Sequence, residues 1–256
     1  MNKNMYYLTA FSLVAVIIVN YLANILPLNG LTTEEISDMF PVLFTPAGYV
    51  FSIWGLIYLL LIGFVIHLFI YKPFNKTIPS AVGGLFILSC ILNIMWVFSW
   101  HFLQIPLSMI IMLALLITLT AIYLLINRKK TEVSTADKIL VKLPFSIYLG
   151  WISVAAIANF NVLLYYLGYY FSGISASFLT ILMLIIATII ASLVFLSRND
   201  FAYILVFLWA FIGIGIRHGT DFFMITLTVW LATAFLIVFM IWVSKDKILD
   251  NKGLSS

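Results

Sequence analysis

Long apolar runs separated by short polar connections dominate the chain. A bilayer-spanning helix needs roughly 20 mostly apolar residues. Eight runs qualify, near 6–26, 48–71, 80–101, 106–127, 143–167, 173–197, 201–217 and 222–243. The seventh, ending before Arg217, is the shortest. Strands are set aside, because an open sheet edge cannot face lipid. The pattern predicts an all-α, polytopic transmembrane helical bundle of about eight spans. The first run follows Lys3 as a signal peptide would, but it is long for one and no small-residue cleavage site follows, so it reads as an uncleaved span.

Two connections break the helix, short loop, helix rhythm. Asn127 to Lys142 is basic and polar, and reads as solvated. Pro27 to Pro46 is different, because Thr32 and Glu35 have capping-box spacing. Beyond that cap, Ile36, Met39 and Phe40 fall on one helical face, opposite Glu34 and Asp38. The spacing predicts a short amphipathic helix near 33–40, bounded by Pro41. It is read equally as an interfacial loop helix and as a lid made of Ile36, Met39 and Phe40.

Inside the apolar runs the polar positions are few and regularly placed. Asn93, Trp96 and Trp100 form one row, and Trp151, Ala155 and Asn159 another. Asn20, Trp54, Tyr58, Asn93, Trp96 and Asn159 share a layer roughly 8–15 Å below the outer surface, at ~1.5 Å rise per residue, and Trp151 lies deeper. A layer shared by several helices is what a lined cavity needs. Asparagines also bridge transmembrane helices, at about 0.6 kcal/mol on average. For any single asparagine, bridging is the stronger reading. Trp100, Tyr165, Tyr166, Tyr169, Tyr170 and Trp242 read as interfacial belts.

Composition agrees with the pattern: 64% of residues are hydrophobic and 9% charged. Charge adds orientation. With eight spans, twelve of the 13 Lys and Arg residues share a side with both termini, and only Arg217 lies opposite. By the positive-inside rule both termini are cytoplasmic, and a seven-span reading would break the asymmetry. The isoelectric point near 9.1 then reports topology and anionic lipid. Membrane lipid is the expected partner, nucleic acid is not, and a homodimer is left open. Cys90 is the single cysteine, so no intrachain disulfide or cysteine metal site can form.

The segment Leu92-Asn93-Ile94-Met95-Trp96, continuing through Trp100, His101 and Phe102 to Pro106, resembles the third-helix pattern of the TspO/MBR proteins. Tyr148-Leu149-x-Trp151-x-x-x-Ala155-x-x-x-Asn159 is similar to that family's fifth-helix pattern. Pro46, Tyr49-Val50-Phe51, Trp54 and Tyr58 resemble the start of its second helix. The family includes the translocator and tryptophan-rich sensory proteins. The likeness covers residues 1–167, as a five-helix bundle, while 168–256 adds three transmembrane helices and a short cytoplasmic tail. Tyr49 stands where a tryptophan is usual, and Trp100 and His101 where two phenylalanines are.

The resemblance implies a hydrophobic cavity under the loop between the first two helices, taking flat, apolar molecules such as porphyrins or sterols. Carried onto matching positions, Tyr49, Trp54, Asn93, Trp151, Ala155 and Asn159 would line it, and the layer adds Asn20, Tyr58 and Trp96. The reading is an integral membrane receptor or carrier for a small hydrophobic ligand, in a plasma membrane of bacterial type. It needs no cofactor, a porphyrin entering only as ligand. A permease of a small solute is the rival. Against it, no ionisable residue lies deep in a span and no internal duplication is evident. The Gly213 and Gly215 breaks would suit a flexible permease segment. A light-dependent porphyrin-degrading enzyme, with Trp54 or Trp151 reactive, is weaker still: no acid–base pair, HExxH or nucleophile with a partner histidine occurs. Arg217 and Asp221, spaced i,i+4, are expected to pair locally.

Overall fold

A computed structural model describes residues 3–26, 28–71, 78–128, 134–169 and 174–253. Pro27, Lys72, Lys76, Lys129, Lys130 and Tyr170, used in the sequence reading, lie outside these. Among the described residues the regular elements are all helices, with no strand, and eight of them are long and apolar enough to cross a membrane. Only helices satisfy every backbone donor and acceptor without help from water, which is why these apolar runs fold this way. Side chains such as Phe11, Phe178 and Phe223 turn outwards, where hydrocarbon solvates them. The protein is an all-α integral membrane protein.

Contacts divide the chain into two compact units. The first comprises Met1–Pro41 and Phe51–Tyr169, the second Val42–Val50 and Tyr170–Ser256. Residues 42–50, around the start of the second span, thus group with the last three helices.

In the first unit, α1 (Lys3–Ile25), α3 (Ile53–Tyr71), α4 (Ala81–His101), α5 (Ile105–Ile126) and α7 (Leu143–Tyr166) cross the bundle. Each packs on two neighbours, in the circuit α1, α4, α5, α7, α3 and back to α1. Two prolines fix where helices begin. Pro106 and Pro144 stand in the first turns of α5 and α7, where a missing N–H costs nothing. Between α4 and α5 the chain turns through Leu103 at φ 55, and Gln104 N–H donates to Ser99 O at 2.8 Å. α6 (Thr135–Asp137) and a π turn over Lys138–Lys142 lead into α7.

The circuit encloses a core that differs along its length. Towards the α6 end it is filled by Phe64, Phe86 and Phe145, each fully buried, with ring centroids 4.9–6.1 Å apart. Such edge-on aromatic packing leaves little space. The amides begin about two turns farther along, with Asn93 seven residues beyond Phe86.

At the opposite end lies α2 (Thr33–Asp38), packed on α4. Its capping box is reciprocal. Glu35 N–H donates to Thr32 Oγ1 at 3.2 Å and Thr32 N–H donates to Glu35 Oε2 at 2.7 Å. The helix stops at Asp38, because a residue preceding proline is driven out of the α region and Pro41 follows closely.

The second unit is a bundle of α8 (Ile174–Arg198), α9 (Phe201–His218) and α10 (Phe223–Gly253), each packing on the other two. Asp200 caps α9 by accepting from Tyr203 N–H at 3.1 Å. Gly215 lets α10 come close, since a Cβ there would sit 3.2 Å from Val229 Cγ1. α9 is regular through both glycines, so they serve close packing and not a break.

Candidate functional site

α3 and α7 present rings at i,i+4 and i,i+3 spacing, which places each pair on one helical face. Trp54 stacks on Tyr58, with centroids 5.6 Å apart and planes at 19°. Its other contacts are edge-on: Tyr148 at 5.8 Å and Trp151 at 6.4 Å. Phe51 closes the group, edge-on to Trp151 at 5.9 Å. Trp54 is thus the hub of a five-ring cluster joining two helices.

The cluster holds an unanswered donor. Trp151 is 3% exposed, and its Nε1–H has no acceptor among the described residues. The Tyr58 hydroxyl is also buried, near Asn93 but short of bonding geometry. Leaving one buried donor unpaired costs roughly 1–3 kcal/mol.

The amides behave differently, forming two separate sets of hydrogen bonds instead of one shared layer. In the first, Asn20 Nδ2 donates to Asn93 Oδ1 at 2.8 Å, and Asn93 Nδ2 donates to the Tyr148 hydroxyl at 2.9 Å. This set links α1, α4 and α7. In the second, Trp96 Nε1 donates to Asn159 Oδ1 at 3.0 Å, and Asn159 Nδ2 donates to Ser108 Oγ at 3.2 Å. This set links α4, α7 and α5. Tyr148 and Asn159 lie eleven residues apart, about 16 Å along α7. The asparagines hold helices together, their amide groups already bonded to protein.

Of the residues singled out from sequence, Trp54, Tyr58 and Trp151 meet in the ring cluster, one helical turn from the half-buried Ala155. Asn20 and Asn93 meet in one amide set, and Trp96 and Asn159 in the other. Tyr49 does not join them. It belongs to the second unit, 42% exposed, with its ring edge-on to Trp209 at 5.2 Å. The face expected of Ile36, Met39 and Phe40 also splits. Ile36 is fully buried, Phe40 packs on Trp100 and Tyr165, and Met39, past the helix end, is 52% exposed. Trp100 further donates through Nε1 to Thr33 O at 3.3 Å, fastening α2 to α4.

Phe51 and Tyr148 complete the cluster from within the motifs already noted. Ser108 had one signal, a hydroxyl in the first turn of α5, well apart from that helix's other hydroxyls at Thr118, Thr120 and Tyr123.

A family model described as TSPO-like protein matches residues 6–242, almost the whole chain and all eight spans. Neither the curated proteins nor the solved structures gave a match.

Proposed function

The chain belongs to the TSPO-like family, and from that premise we propose that it is a membrane binding protein for a planar, largely apolar ligand bearing a hydrogen-bond acceptor. The observation that carries this reading is the buried, unpaired Trp151 N–H within a cluster of five aromatic rings. Rings offer broad apolar faces to a flat molecule, and a single placed donor fixes its orientation. A porphyrin carboxylate or a sterol-type oxygen supplies the matching acceptor. The amide sets above and beside the rings keep α1, α4, α5 and α7 in register, so the rings are preorganised.

Protoporphyrin IX titrated into purified protein tests this, followed by tryptophan quenching and by the porphyrin's Soret band. Wild type is expected to saturate. Trp151→Phe keeps a ring but removes the donor, so affinity should fall about five- to tenfold, the worth of one neutral hydrogen bond. Unchanged affinity in both Trp151→Phe and Trp54→Leu would overturn the site. Proton- or sodium-driven uptake into vesicles would replace the binding reading with a permease. The basic-residue asymmetry supports cytoplasmic termini, which reporter fusions at each end would test.

A further inference from the structure

Residues 42–50 run as a strap along α9, held through their main chain. Four consecutive contacts fasten it. His218 Nε2 donates to Leu43 O at 2.6 Å, and Arg217 Nη1 donates to Pro46 O at 3.3 Å. Ala47 N–H donates to Gly213 O at 3.1 Å, and Trp209 Nε1 donates to Val50 O at 3.1 Å. Trp209, Gly213 and Arg217 stand four apart and share one helical face. Strap positions 43, 46, 47 and 50 meet α9 positions 218, 217, 213 and 209 in antiparallel order.

Every bond in this set ends on a strap backbone atom. α9 therefore holds a chain path and is indifferent to most strap side chains. One position demands a particular residue. A Cβ on Gly213 would lie 2.2 Å from Val50 Cγ2 and 3.2 Å from Pro46 Cβ, so only glycine lets the strap seat. Phe44 and Val50, both fully buried, anchor it on either side.

The strap's position in the chain gives this clamp its consequence. It begins one residue after Pro41, directly behind α2, and ends one residue before Phe51, the first ring of the aromatic cluster. Residues 43–50 thus join the segment after α2 directly to the run into α3.

We propose that α9 is a latch: the three C-terminal helices hold the strap seated, and its release loosens α2 and the start of α3 together. The latch stands on the strap contacts alone. Its effect on ligand entry rests on the binding reading above.

Hydrogen–deuterium exchange on the purified full-length protein tests the latch without ligand, using Trp209→Phe and Gly213→Ala. Trp209→Phe removes one strap bond and keeps the ring, so it answers even if Gly213→Ala fails to fold. Exchange over residues 42–50 is expected to rise tenfold or more, with a matching rise over 33–40, while α4, α5 and α7 stay unchanged. A rise over 42–50 without one over 33–40 would overturn the proposal, as would no rise in either. Protoporphyrin IX association should accelerate in step with exchange. If wild type fails to bind the porphyrin, the binding reading falls and the exchange data still decide the latch.

Discussion

Trp96 and Asn159, 63 residues apart in sequence, share a 3.0 Å hydrogen bond between α4 and α7. Asn159 also bonds Ser108 on α5, so one amide ties three helices. Asn159→Leu strands the Trp96 N–H and takes one partner from the Ser108 hydroxyl, which keeps its bond to Ile105 O. The expected loss is about 1–2 kcal/mol, since interhelical bonds in membranes average ~0.6 and reach ~1.7. Equilibrium unfolding of purified protein in mixed micelles measures it. A loss below 0.3 kcal/mol would show that the amide carries no helix contact, against the average above.

The same substitution at two tryptophans should give opposite results. Trp96→Phe removes a donor that is in use, leaving Asn159 Oδ1 short of a partner, and is expected to destabilise by about 1 kcal/mol. Trp151→Phe removes a donor without an acceptor among the described residues. It should leave stability within about 0.5 kcal/mol, or raise it, because a buried unpaired N–H disappears. Unfolding of the two variants side by side checks this, and equal losses would defeat it.

Most of the fold was legible because the bilayer imposes it: length and polarity alone set eight spans, and Thr32 with Glu35 announced the loop helix. The site was legible only in part. Spacing set Tyr58 in the layer of Trp54, and the resemblance added Trp151, but neither could say which polar groups find each other. That depends on how helices cross, and α4 crosses α7 so that Asn93 meets Tyr148 while Trp96 meets Asn159. Tyr49 makes a long-range contact of the same kind. Its neighbours in sequence begin α3, yet its contacts come from Trp209, which no local pattern reveals. Met39 was lost to chain termination, since Pro41 ends the helical period before that face is complete.

His67 and Asp137 are joined by a hydrogen bond, Nε2 to Oδ1 at 2.8 Å. His67 is 3% exposed and Asp137 14%, so water screens the contact little. The bond fastens α3 to the turn that leads into α7, beneath the phenylalanine core. Asp137→Ala is expected to cost about 1–3 kcal/mol by stranding the imidazole N–H. Asp137→Asn keeps an acceptor and should cost less than half as much. Unfolding measurements at low and high salt check both, and a loss abolished by salt would place the pair at the surface.

Glu35 gives α2 a pH dependence of known sign. Its carboxyl is held below the ordinary 4.5, first by the Thr32 backbone N–H and second by the Thr32 hydroxyl. A carboxylate lowered in the folded state contributes its full stabilisation above the ordinary value, and loses it as pH falls through the lowered one. Protection of the amides in Thr33–Asp38 should therefore be flat above about pH 5 and decline below the ordinary carboxylate range. Glu35→Ala should show reduced protection at neutral pH and no such decline. Hydrogen exchange over residues 33–40, corrected for the intrinsic pH dependence of exchange, is the measurement. A wild-type decline that persists unchanged in Glu35→Ala would assign the effect to another acid, with Glu34 and Asp38 the nearest to test.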